Sequence, residues 1–162
     1  ARALAAKLGS SAKPIFGLFE NMEELQRAVL AAAFEKYSRF IAAEMTKGEY
    51  APYKASGMAY IRFARDEREL FKLLFMRERS REEQLSATND DVKPLLQLIS
   101  KNTGMTEAEA ARFHTEMWLF VHGIATMIAT SFLDWSDEDV SRALTDVYEA
   151  MTRRWARKES RK

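Results

Sequence analysis

Apolar residues recur along this chain at three- and four-residue intervals, the spacing that lines one face of an α-helix. The clearest stripe runs through Leu25, Val29, Phe34, Tyr37, Ile41 and Met45. Asn21 stands before it with Glu24 three residues on, a cap-and-acid pair that opens a long helix reaching about Thr46, and Gly48 ends it. Pro52 opens a helix over residues 52–64, and Asp66 with Glu69 starts another that runs through Phe75. Residues 77–90 carry charges of alternating sign, which predicts a solvent-facing segment that is partly loop. Pro94 lies near the start of a helix carrying Leu95, Leu96, Leu98 and Ile99. Thr106 with Glu109 is a capping box ahead of a long helix to about Leu133. Ser136 with Asp139 opens the last helix, which ends in a basic tail. Glycine and proline are scarce and fall at these boundaries, so the pattern predicts an all-α chain without internal repeats.

The last two predicted helices meet at Asp134 and Trp135 as an antiparallel hairpin. The first is apolar on more than one side. Phe113, Met117, Phe120, Val121, Ile124, Met127 and Ile128 take one broad face, and Trp118, His122 and Ala125 extend round another. A helix of this kind must be covered on most sides. In the second, Val140, Leu144, Val147, Met151 and Trp155 form one stripe. Two such hairpins suit a four-helix interface between subunits, with Ile124, Ile128, Val140, Leu144, Val147 and Met151 at the contact; the other arrangement packs both stripes inside one subunit. Gly123, with Ala125 and Ala129, offers a small surface that a neighbouring helix can approach closely.

At the other end, residues 4–25 read as a short helix, a tight turn, a second short helix and a capped third. Leu4 and Leu8 are one turn apart with the small Ala5 between them, and Gly9 suits the left-handed turn that ends a helix. Ser11 can cap the next helix, Pro14 falls in its first turn, and Ile15, Leu18 and Phe19 give it an apolar side. This is the pattern of a helix-turn-helix, which places its second helix in the DNA major groove; the alternative is an ordinary helical corner.

The segment resembles the DNA-binding region of the TetR family of transcriptional repressors. The resemblance rests on Ala5, Gly9, Ser11, Ile15 with Phe16, Phe19, and Asn21 with Glu24 and Leu25. Residues 118–127, with a Trp, a His-Gly pair and small residues, also resemble a C-terminal domain found in some regulators of this type. Three positions depart from the family pattern. Phe16 replaces a tyrosine and Met22 a lysine, both of which commonly meet phosphates, and Gly17 replaces a larger residue.

The resemblance implies a homodimeric, ligand-responsive repressor. Residues 1–45 are then the DNA-binding domain and connecting helix, with a first helix expected before Ala1, and residues 46–162 the ligand-binding and dimerisation domain. Two recognition helices would straddle a pseudo-palindromic double-stranded operator, with half-sites roughly 34 Å or a multiple apart. Lys7, Ser11, Ala12, Lys13, Phe16 and Met22 are the expected DNA contacts, Lys13 foremost. Met58, Ile61, Phe71, Phe75, Leu95, Ile99, Trp118 and His122 are expected around a small-molecule effector, and their aromatic and methionine content points to an apolar or aromatic one. The competing class is a TetR-shaped helical interaction protein with weak or lost DNA binding, which Phe16, Gly17 and Met22 would explain.

Composition narrows the chemistry. Apolar residues make up 47% and charged residues 30%, with a net charge of +1, so any DNA footprint must be local. Cysteine is absent, which excludes disulfides, thiolate zinc sites and thiol redox chemistry. No apolar run reaches membrane-spanning length and no secretory leader is visible, so a cytoplasmic location is expected. His114 and His122 lie two turns apart on one helix without carboxylates at ligand spacing, and no glycine-rich phosphate loop is present. Neither a metal nor another cofactor is expected, and no catalytic constellation assembles.

Overall fold

The computed structural model describes residues 2–9, 11, 17–78 and 92–159. They form seven helices and no strand: α1 (Arg2–Lys7), α2 (Met22–Thr46), α3 (Pro52–Asp66), α4 (Arg68–Phe75), α5 (Lys93–Thr103), α6 (Glu107–Ala129) and α7 (Asp137–Glu159). The fold is all-α. The chain divides into two compact units, residues 1–38 and 39–162, and the division falls inside α2.

In the first unit α1 stops at Gly9, whose φ of 62° is left-handed, as the turn requires. Asn21 Oδ1 accepts a hydrogen bond from the Glu24 amide at 2.9 Å, and the Glu24 carboxylate accepts one from the Glu20 amide at 2.6 Å. The first satisfies one of the orphan donors at the head of α2, and the second ties the preceding residue to the helix.

In the second unit α3 is the central element, packed against α4, α5, α6 and α7. Its Met58, Ile61, Phe63 and Ala64 are almost wholly buried. Gly57 admits α7 closely: a Cβ there would stand 3.3 Å from Leu144 Cδ1 and 3.5 Å from Val121 Cγ2. The helix runs on through Asp66, so Asp66 does not cap α4. The break comes at Glu67 (φ −121°, ψ 49°), whose carbonyl accepts from the Phe71 amide at 2.8 Å and whose side chain makes no cap bond.

The two predicted boxes form. Thr106 Oγ1 accepts from the Glu109 amide and the Glu109 carboxylate from the Thr106 amide, at 3.4 and 3.1 Å. Ser136 and Asp139 repeat the arrangement at 3.1 and 3.2 Å. α6 ends at Ala129, short of Leu133. Ser131 turns left-handed at φ 59°, and the Phe132 and Leu133 amides both donate back to the Met127 carbonyl, at 2.9 and 3.1 Å.

The hairpin corrects one expectation. Val140, Leu144, Ile124 and Ile128 are only 0–6% exposed within the single chain. Val147 and Met151 pack against a core cluster of Leu96, Ile99, Met105, Ala110, Phe113, Met117 and Trp155. Val140, Leu144, Ile124 and Ile128, assigned to a subunit contact, therefore lie inside the protomer, with α3 packed against both α6 and α7, while Val147 and Met151 are half-buried against the core cluster. What α6 leaves open is another face. Leu119 is 59% exposed and Met127 36%, Gly123 between them has nothing within 4 Å of where a Cβ would stand, and Phe132 beyond the helix is 79% exposed. Among the described residues no helix of the same protomer occupies the space at Gly123, which leaves it open to a neighbouring one.

Candidate functional site

Two tyrosines seven residues apart on α3 meet two histidines eight apart on α6. Tyr53 Oη lies 3.1 Å from His114 Nδ1 and Tyr60 Oη 2.9 Å from His122 Nδ1, both hydrogen-bonded. Each spacing is two helical turns, so the pairs form rungs between helices that run in the same direction.

The first rung is structural. Tyr53 packs on Phe113 and Tyr148 in the α5–α6–α7 core, with ring centroids 6.4 and 5.9 Å away. Burial drives the Tyr53 phenol well above its usual range and the His114 imidazolium below its own, so both are neutral near pH 7.

The second rung is the candidate site. Tyr60, Phe71 and Phe75 close on one another with centroids 5.1–5.5 Å apart. Phe71 lies 6.0 Å from His122. Trp118 stacks on His122 at 4.8 Å with an interplanar angle of 15° and stays 41% exposed. The result is a cluster of five rings, edge-on and tilted except for the Trp118–His122 stack, grading from buried phenylalanine to open indole, whose exposed end can stack planar apolar groups. One turn beyond His122, Thr126 Oγ1 is buried with no hydrogen-bond partner among the described residues. No Asp, Glu, Lys or Arg occurs over residues 117–133, so α6 offers no ionic contact here.

Of the eight residues expected around an effector, the structure brings together Phe71, Phe75, Trp118 and His122. Met58 and Ile61 are buried in α3, Leu95 is half-buried on α5, and Ile99 belongs to the core cluster beside Phe113. Sequence reasoning missed Tyr60, which joins the four, although the matching two-turn spacings of tyrosine and histidine pointed to it. Of the expected DNA contacts, Lys7 ends α1 exposed, Ser11 is exposed, and Met22 is half-buried at the first turn of α2. Ala12, Lys13 and Phe16 lie outside the described residues. Among the described residues no group of three His, Asp or Glu side chains could hold a metal ion, and no helix is long and apolar enough to cross a membrane.

Neither the curated proteins nor the solved structures gave a match. Residues 53–155 match the family model described as the tetracyclin repressor-like C-terminal domain. That span runs from the first rung through the ring cluster to Trp155, more than half of an all-helical chain, and on it the chain belongs to the TetR family of regulators.

Proposed function

We propose that this protein is a ligand-responsive transcriptional repressor that binds DNA as a homodimer. The observation that carries the reading is the match of residues 53–155 to a TetR-type C-terminal domain, directly behind a segment with helix-turn-helix spacing. Residues 1–45 then hold the DNA-binding domain and connecting helix, and residues 46–162 the sensing and dimerisation domain.

The subunit contact is proposed on the open face of α6, through Leu119, Gly123 and Met127, with Phe132 at its end. These residues have surface to give, and Gly123 lets a second helix approach closely. The effector is proposed at Tyr60, Phe71, Phe75, Trp118 and His122. A neutral planar aromatic fits best: the rings offer stacking, the Tyr60–His122 pair offers polar groups, and α6 supplies no counter-charge there. Such a ligand releases the operator only by binding one conformation more tightly than the DNA-bound one. Lys7, Ser11, Ala12, Lys13 and Phe16 contact the operator, with Met22 at the head of α2 facing its backbone.

A gel shift on genomic fragments tests the reading. Retarded fragments that resist non-specific competitor, and that dissociate as salt rises, are expected. Salt-independent failure to bind any fragment would favour the second reading, a TetR-shaped interaction protein, which the replacements at Phe16, Gly17 and Met22 motivate.

A further inference from the structure

One guanidinium ties three separate segments of the second unit together. Arg62 projects from α3 and spends each of its nitrogens on a different carboxylate. Nη1 donates to Glu44 Oε2 in the last turns of α2 at 2.7 Å, Nη2 to Glu49 Oε2 in the following turn at 2.8 Å, and Nε to Asp137 Oδ2 at the start of α7 at 2.7 Å. Its neighbours reinforce the arrangement. Arg65 donates to Asp137 Oδ1 at 2.5 Å and to the Trp135 carbonyl at 2.9 Å, and Lys47 donates to Glu44 Oε1 at 2.5 Å. Three cations and three carboxylates balance in charge, and the Arg62 and Glu44 side chains are only 16% and 11% exposed. Burial pushes the Glu44 and Asp137 carboxyls up, but the bonds from Lys47, Arg62 and Arg65 outweigh it and hold both below their usual range. A lysine cannot reproduce this, because an ammonium lacks the planar fork that reaches three partners in fixed directions.

We propose that Arg62 is a positioning residue: it fixes the sensor end of the connecting helix to the α6–α7 turn, so that movement of that turn is passed to the helix bearing the DNA-binding unit. This rests on the regulator reading for its consequence, though not for its mechanics. α6 carries Trp118 and His122 toward the same turn, and Arg68 Nη1 holds Ser131 Oγ there at 2.8 Å. A ligand that displaces α6 therefore acts at the far end of the Asp137–Arg62–Glu44 chain.

The test compares full-length wild type with Arg62→Met and Arg62→Lys. Amide hydrogen exchange without DNA is read over residues 39–49 and, as the fold control, over 113–121. At least tenfold faster exchange over 39–49 in both variants, with 113–121 unchanged, is expected. Affinity for a duplex selected by the wild type from a random library should fall about tenfold with the salt slope unchanged, since Arg62 meets no phosphate. If Arg62→Met fails to fold, Glu49→Gln and Asp137→Asn take its place. Unchanged exchange over 39–49, faster exchange with unaltered affinity, or full rescue by lysine would each overturn the proposal. A wild type that selects no duplex sinks the regulator reading instead, and the exchange result alone then decides whether Arg62 anchors the helix.

Discussion

Replacing Leu119 by glutamate should separate assembly from folding. Leu119 is 59% exposed in the single chain, so the folded protomer gains little from it. Fully burying a leucine is worth about 1.5–3 kcal/mol, which leaves roughly 1–2 kcal/mol per subunit to be gained on dimerisation. A two-fold contact uses the residue twice, so about 2–4 kcal/mol is at stake, before the desolvation of two carboxylates. At about 1.4 kcal/mol per tenfold, the dimer constant should fall roughly 30- to 700-fold. Protomer stability should change by no more than about 0.5 kcal/mol, as for most exposed substitutions. Sedimentation equilibrium across the micromolar range reads the first quantity and urea denaturation of the monomeric variant the second. Leu144→Asp is the contrast. Leu144 is 4% exposed, so a carboxylate there is buried without a partner and should unfold the chain rather than dissociate it. An unchanged dimer constant in Leu119→Glu refutes the assignment of this face, and a wild-type monomer at micromolar concentration refutes the dimer itself.

Gly57→Val should lower stability by about 1–3 kcal/mol in urea, because its Cβ already meets Leu144 Cδ1 at 3.3 Å and the added methyls overpack the α3–α7 crossing; an unaltered midpoint would mean the helices part without cost. Glu44 and Asp137 sit below their ordinary values of 4.5 and 3.8, so the stability they give is complete above those values and is lost as pH falls through the depressed ones; Arg62→Met should lose less stability than the wild type between pH 7 and about pH 3, and equal losses would contradict the ion network. Met22→Lys adds a cation at the head of α2 and should steepen the dependence of log affinity on log salt by about 0.9, for specific and non-specific duplexes alike; an unchanged slope would place Met22 away from the backbone.

The sequence made local features legible because their partners are local. Thr106 with Glu109, Ser136 with Asp139, and Asn21 with Glu24 each cap within one turn, and Gly9 and Gly48 mark left-handed stops. The end of α6 was missed because a serine, not a glycine, takes the left-handed position at 131, and Asp66 was misread because α3 had no reason to stop before it. An apolar stripe says that something covers it and not what. Val140 and Leu144 read equally well as interface or core, and α3 with its Gly57 notch decided for core. Four of the five residues of the candidate site, Phe71, Phe75, Trp118 and His122, were legible as ring-bearing residues on helices of the sensing region, while four others expected there belong elsewhere. Tyr60 was signalled only by its two-turn spacing from Tyr53, because its partner His122 lies 62 residues away, and the partners of Arg62 at 44, 49 and 137 share no local signal with it.

Selection of bound duplexes from a random library, carried out with the wild-type protein and sequenced, tests the central claim most directly. The account predicts enrichment of one inverted repeat with half-sites roughly 34 Å or a multiple apart, as two symmetry-related recognition helices demand. Recovery of a single half-site would contradict the dimer, and a pool that stays random through successive rounds would contradict DNA recognition altogether.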